Sequence, residues 1–305
     1  MIPKAAVFAG QGAQFVGMGK DLAADSDIAR WFDRANAVLD FDLKQVCFEG
    51  PVESLTRSNH CQPAIFVTSV ACWQAFLKRY PACAFTVAGG LSLGEWTALH
   101  VAGVLDFETT VRILEARGRF MQEACNERPG GMVSVMGLDP EKVQAVCTAT
   151  GATMANLNSD SQIVLSGTRE AVAAAERAAV EAGGKAVILN VAGAFHSPLM
   201  APARERLTAL LQDVVFAAPT MPVLSNVTGA PHTSDGAGIR DAMLRQVTEP
   251  VRWMSCVRAA GAQTFIEFGP GKVLSGLIKR IDRQNLVANV QDTTSLESVA
   301  DIAGA

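Results

Sequence analysis

The segment Ala84-Phe85-Thr86-Val87-Ala88-Gly89 runs directly into Gly90-Leu91-Ser92-Leu93-Gly94-Glu95. It reads as a short apolar strand, a Gly-x-Ser-x-Gly turn and the start of a helix. A strand passing into a helix through so tight a turn belongs to an α/β sheet. Glycines on both sides of Ser92 let neighbouring backbone approach without a Cβ clash. The new helix aims free N–H groups at the turn, where negative charge is favoured. A serine hydroxyl at such an elbow stands out from the backbone, open to acylation; the alternative is a glycine-rich turn around an inert serine. With 26 glycines in 305 residues the pentapeptide alone is weak evidence. The β-prone residues before it and the mostly apolar run 95–102 after it carry the reading.

The rest of the pattern fits an α/β class. Ala5-Ala6-Val7-Phe8 reads as a strand, residues 63–79 as a helix, 84–89 as a strand and 107–123 as a helix. Such alternation implies a parallel sheet. The pattern changes at Arg128-Pro129-Gly130-Gly131. Residues 132–136 then read as a strand, and Asp139-Pro140 opens a helix to about residue 150. Strands at 152–156 and 162–166, a helix capped by Thr168 that stops at Gly183-Gly184, and a strand at 186–190 come next. This β-α-β-β-α-β order is that of ferredoxin-like units, so a small inserted subdomain is expected at about 129–193. Afterwards come strands at 221–225, 264–268 and 286–290, with helices at 239–247 and 273–281. Residues 234–238 read as a loose surface loop.

Composition narrows the function. Hydrophobic residues make up 49% of the chain and charged ones 18%, enough for a substantial core. A net charge of −4, with aromatics at 6%, argues against a general nucleic-acid binder. The seven cysteines are scattered and odd in number, without a CxxC pair, as expected for reduced thiols in a cytoplasmic protein. Met1-Ile2-Pro3-Lys4 has no signal-peptide layout. The apolar stretch 64–77 is broken by Thr68, Ser69 and Gln74, so a buried helix is expected there and no membrane span.

Serine needs a base to act as a nucleophile at neutral pH. Of four histidines, His100 lies on the helix leading away from the elbow, His232 follows a proline in a loop, and His60 precedes a helix. His196, in Gly193-Ala194-Phe195-His196-Ser197-Pro198, falls where the insert rejoins the larger unit. Clefts form at such junctions, so His196 is the preferred base, against a satisfied structural histidine. The turn Ala9-Gly10-Gln11-Gly12-Ala13-Gln14 has Phe15 where a dinucleotide fingerprint needs glycine. Its N–H groups can serve an oxyanion, or the turn is an ordinary one. Arg117 shares a helix face with Leu114 and Met121 and therefore needs an anionic partner. A structural Asp or Glu and a substrate carboxylate are both open, with the structural one favoured on spacing alone.

Several motifs together resemble one family. They are residues 8–14, Gln62-Pro63-Ala64, residues 90–95, Arg117-Gly118 with Met121-Gln122, residues 195–200, Ser225-Asn226-Val227-Thr228-Gly229 and Glu267-Phe268-Gly269-Pro270-Gly271. In this order they are similar to the malonyl-CoA:acyl carrier protein transacylases, acyltransferases of fatty-acid and polyketide synthesis. The resemblance implies a hydrolase-like core, residues 1–128 and 194–305, with the ferredoxin-like insert at 129–193. Ser92 would be the acylated nucleophile, His196 its base and Arg117 the grip on the malonyl carboxylate. Gln11 and Leu93 would supply oxyanion N–H groups, Gln62 would belong to the substrate site, and Gln246 would orient His196 through its carbonyl. Phe195 would favour malonyl over bulkier acyl groups. Leu91 stands where the family commonly has histidine, a change that removes no catalytic group.

The resemblance further implies a cytoplasmic monomer that transfers malonyl in two half-reactions, without metal or redox cofactor. Its partners would be malonyl-CoA and an acidic carrier, which Lys272, Lys279, Arg280 and Arg283 could dock, unless they are only a solvated helix face. The alternatives are a free-standing acyltransferase of a polyketide assembly line, a serine acyl hydrolase or thioesterase, and a non-catalytic carrier-binding homologue.

Overall fold

The computed structural model describes residues 3–304. Its strands, in chain order, are β1 (Lys4–Phe8), β2 (Val87–Gly90), β3 (Gly130–Met136), β4 (Thr153–Ser159), β5 (Gln162–Thr168), β6 (Lys185–Ile188), β7 (Thr264–Phe268) and β8 (Leu286–Val290). Four of them make a parallel sheet in the order β2-β1-β7-β8. Every residue of β1 and β7 is buried. Short strands without alternation, such as KAAVF, suit a parallel sheet covered on both faces. The helix Ser58–Arg79 supplies much of that cover through Phe66, Val70, Trp73 and Phe76, which are at most 6% exposed.

The other four strands form an antiparallel sheet in the order β4-β5-β3-β6, the ferredoxin-like arrangement. Period-two alternation divides its faces. Val133, Val135, Ile163 and Leu165 pack against the helices Pro140–Thr150 and Arg169–Glu181. Met132, Ser134, Gln162 and Val164 point the other way, into a cleft shared with the parallel-sheet lobe. Two backbone bonds stitch the edge strand β4 to that lobe, from Leu157 N to Val251 O (2.9 Å) and from Val251 N to Ala155 O (2.8 Å).

Three local expectations need correction. Residues 221–225 do not form a strand of the main sheet; only Val223 pairs in parallel with Ala88, beyond β2. Pro222 has no N–H to donate, so the ladder stops there. Residues 234–238 are not a loose loop. The Asp235 carboxylate accepts from Ala237 N and Gly238 N and caps the helix Gly236–Arg245. The helix expected from residue 63 begins five residues earlier, at Ser58, with Pro63 inside it. Tertiary contact fixes that extra turn: a Cβ on Gly118 would lie 2.2 Å from Ser58 O, so the helix Phe107–Glu127 presses onto it there.

Among the described residues no helix is long and apolar enough to cross a membrane. All seven cysteines are buried and unbridged.

Candidate active site

Ser92 sits between β2 and the helix Leu93–Val101 with φ 54° and ψ −100°. Such a conformation in a non-glycine residue stores strain and persists only where the surroundings enforce it. Here they do. A Cβ on Gly90 would fall 2.1 Å from the Gly94 carbonyl carbon, and one on Gly94 would fall 2.1 Å from Phe8 O. The elbow is therefore pressed onto the end of β1, and no larger residue fits at either glycine. Asn226 clamps the turn: its Oδ1 accepts from Ser92 N (2.6 Å) and its Nδ2 donates to Gly90 O (2.8 Å).

The turn after β1 abuts the elbow as well. A Cβ on Gly10 would lie 2.7 Å from Leu91 O. Gln11 N and Leu93 N, which begin the two neighbouring segments, have no acceptor among the described residues. Two free backbone donors beside a serine hydroxyl can receive an oxyanion.

His196 is 5% exposed and lines the same cleft as Ser92, Gln11, Arg117 and Phe195, a cavity of about 980 Å³ between the lobes. Ser92 and His196 are the only non-glycine residues of positive φ among the described residues. His196 Nδ1 lies 2.7 Å from Gln246 O. A carbonyl only accepts, so Nδ1 carries the proton and the Nε2 lone pair is the basic site. Gln246 follows the last turn of the helix Gly236–Arg245, where the carbonyl lacks an intrahelical donor. Burial, and then the Arg117 charge, pushes the His196 pKa down to about 4. The imidazole is thus neutral and ready to accept a proton at pH 7. An unfolded histidine titrates near 6.5, so the unfolded chain holds the extra proton between the two values, and stability falls as pH drops through that window.

Arg117 is 1% exposed. Its Nη1 donates to Gln62 Oε1 (2.7 Å), and its Nη2 to Ser92 Oγ (3.1 Å) and Gln246 Oε1 (3.0 Å). Its Nε has no partner, and no carboxylate forms an ion pair with it among the described residues. The structural Asp or Glu favoured on spacing is therefore absent; neutral oxygens hold the guanidinium instead. Burial lowers its pKa to about 10 against the opposing charge of Glu95, so it stays protonated at pH 7. A buried cation 3.1 Å from the Ser92 hydroxyl, in no ion pair with a carboxylate, leaves its charge available to an anion that enters the cleft.

Gln62 and Gln246 are fully buried, and both act on Arg117 from behind the cleft wall. The other histidines lie elsewhere. His60 bonds Ser54 and stacks on Phe41, and His100 Nδ1 donates to Leu105 O. His232 is not a loop residue without partners: its Nε2 donates to Glu95 Oε1 at 2.6 Å. Of the four basic candidates near the C-terminus, Lys272 and Arg280 line the cleft, and Arg280 also donates to Gln162 of β5. Sequence reasoning assigned no role to Asn226 or Glu95. Asn226 stood within a recognised motif. Glu95 stands within another, in the first turn of its helix, where an acidic residue also suits the helix dipole.

The acyl transferase domain family matches residues 6–301 of the chain. A malonyl CoA-acyl carrier protein transacylase of Salmonella typhimurium is 42% identical over 284 residues, 90% of this chain and 91% of that protein. The crystal structure of a malonyl CoA-acyl carrier protein transacylase from Clostridium perfringens superposes with a TM-score of 0.94 at 36% identity, covering 98% of this chain and 96% of that one. A malonyl-transacylase solved in complex with a type II PKS acyl-carrier protein gives a TM-score of 0.93 at 37% identity, with 98% and 99% covered. Sequence, fold and the elbow with its buried cation agree, and the chain belongs to the acyl transferase domain family.

Proposed function

We propose that this enzyme transfers malonyl from malonyl-CoA to the phosphopantetheine thiol of an acyl carrier protein, through a malonyl ester on Ser92. The observation that carries the substrate assignment is Arg117, a buried guanidinium 3.1 Å from the Ser92 hydroxyl with no carboxylate of its own. In a malonyl ester one methylene separates the ester carbonyl from the free carboxylate. Guanidinium and carboxylate then meet within the same small volume.

In the first half-reaction His196 Nε2 takes the Ser92 proton as Oγ attacks the thioester carbonyl. Gln11 N–H and Leu93 N–H receive the oxyanion, a contribution of about 10²–10³ in rate for each such donor. The imidazolium is steadied by the Gln246 carbonyl, which fills the place an acidic residue takes in other serine enzymes. The intermediate collapses with loss of the CoA thiol, which regains its proton from His196. The carrier's thiol then attacks the ester with the same base and donors, and Ser92 is released. Every group these steps use belongs to the chain or to its two substrates.

The cleft is roomy enough to admit a pantetheine arm, and Lys272 and Arg280 place positive charge along it for an acidic carrier. Fatty-acid synthesis is the proposed use of the product. The likeness to a transacylase complexed with a type II PKS acyl-carrier protein favours a polyketide carrier as a second destination.

Hydrolysis is the competing outcome at such a serine. Incubation with malonyl-CoA and holo carrier should give malonyl-carrier, with free malonate a minor product. Malonate as the main product would make this a hydrolase. The pH profile is set by His196. kcat/KM for malonyl-CoA should be flat over roughly pH 5–8 and fall on the acid side as the imidazole gains its proton near pH 4. An acid limb centred near 6.5 would show that the histidine is not buried and neutral as described.

A further inference from the structure

Behind the elbow lies a carboxylate that the mechanism above does not use. Glu95 is fully buried, yet none of the partners of its carboxylate belongs to its own helix. Oε1 accepts from His232 Nε2 (2.6 Å). Oε2 accepts from Asn226 N (3.2 Å) and from Gln246 Nε2 (2.5 Å). Asn226 N and Gln246 Nε2 can only donate, so Oε2 is an acceptor toward both, and His232 Nε2 faces Oε1 on the other side. The His232 side chain is 2% exposed and that of Glu95 1%, so the pair is sealed from water.

The two residues bonded to Oε2 hold the reacting groups. Asn226 receives the Ser92 N–H on its Oδ1 and binds Gly90 O through its Nδ2. Gln246 holds His196 through its carbonyl, Arg117 through its Oε1 and the Ser92 carbonyl through its Nε2. Nucleophile, base and substrate cation therefore all connect to one anion at a distance of two bonds or fewer. An amide side chain such as Gln246 can flip, exchanging its oxygen and nitrogen. If it flipped, an NH₂ would face Arg117. An anion on the far side, which only the NH₂ can satisfy, forbids that flip. The charge of Glu95 also opposes the effect of burial on Arg117.

We infer that Glu95 and His232 form a positioning pair: His232 orients the Glu95 carboxylate, which fixes Asn226 and Gln246 and through them Ser92, His196 and Arg117. The inference rests on the proposed reading of those three groups, but it concerns residues that touch no substrate.

The test compares Glu95→Ala, Glu95→Gln and His232→Phe with the wild type, with rates normalised to the folded fraction from thermal melts. Malonyl transfer to holo carrier is read as kcat and KM, alongside the malonyl-to-acetyl preference. A downfield proton resonance, assigned to His196 Nδ1–H by its loss in His196→Ala, is the readout independent of turnover. Misplacement of reacting groups by about 1 Å costs about 100-fold. Glu95→Ala should lose about that much in kcat with KM within about threefold, a lower malonyl preference and a shifted or broadened resonance. Glu95→Gln can keep one oxygen toward Asn226 and Gln246 while its NH₂ meets the other tautomer of His232. It should recover about tenfold of the loss, a rescue that a merely structural role would not yield. His232→Phe should lose about tenfold.

Wild-type kcat, selectivity and resonance in folded Glu95→Ala would overturn the pair. Should that variant fail to fold, His232→Phe decides by the same readouts. A wild type that takes up no malonyl would sink the malonyl reading alone, and the resonance would still judge the pair.

Discussion

Ser92→Ala is expected to reduce transfer of malonyl from malonyl-CoA to a carrier protein by at least about 10⁴-fold, with the fold intact. The hydroxyl is the only group at the elbow that can carry the acyl chain between the two thiols. Removing it also relieves a strained residue of nothing but its Oγ, since the φ of 54° is imposed by Gly90, Gly94 and Asn226. His196→Ala should lose a comparable amount, because base and nucleophile act as a unit. The double variant should be little worse than either single one. Steady-state assays on the three proteins check this. Losses that multiply in the double variant would separate the two residues into independent roles.

The second large effect concerns the acyl group. Arg117→Ala should lower kcat/KM for malonyl-CoA by roughly 10²–10⁴, the equivalent of about 3–5 kcal/mol for a buried carboxylate left unpaired. Acetyl-CoA has no carboxylate to strand, so its relative use should rise. The same substitution carries a second signature. The Arg117 charge is one of the causes that hold the His196 pKa down, so removing it should move the acid limb of acetyl transfer upward in pH. Competition between the two thioesters, read with the pH profile, tests both. Unchanged malonyl preference would remove Arg117 from substrate recognition. A stationary acid limb would remove it from the electrostatics of the base.

These expectations draw on features that were unequally visible in the sequence. The run 264–290 was legible as strand, helix, strand because apolar runs there are bounded by Gly269-Pro270-Gly271 and Asp282. The order of elements in the smaller sheet was legible for a similar reason: Asp139 and Thr168 mark helix starts and Gly183-Gly184 a helix end by local chemistry. Residues 221–225 were misread because an apolar run with one missing donor looks like a strand. Pro222 decides otherwise only when the neighbouring β2 is in place. Ser92 and His196 could be singled out, one by its glycines and the other by its place at the return from the insert. Arg117 could be flagged as a charge on an apolar face, but its partners could not be foreseen. Gln62 lies 55 residues away in sequence and Gln246 lies 129 away. Glu95 and His232 were opaque for the same reason: their contact spans 137 residues, and each has an ordinary local explanation.

Ser92, His196 and Arg117 are held by a shared set of buried amides, and the proposed chemistry reduces to one covalent event on one oxygen. Mass spectrometry of the intact protein after mixing with malonyl-CoA, followed by peptide mapping and then by addition of holo carrier, tests that event most directly. The predicted result is a single malonyl adduct located on Ser92 that disappears as malonyl-carrier forms. An adduct on another residue, or transfer to the carrier with Ser92 never modified, would contradict it.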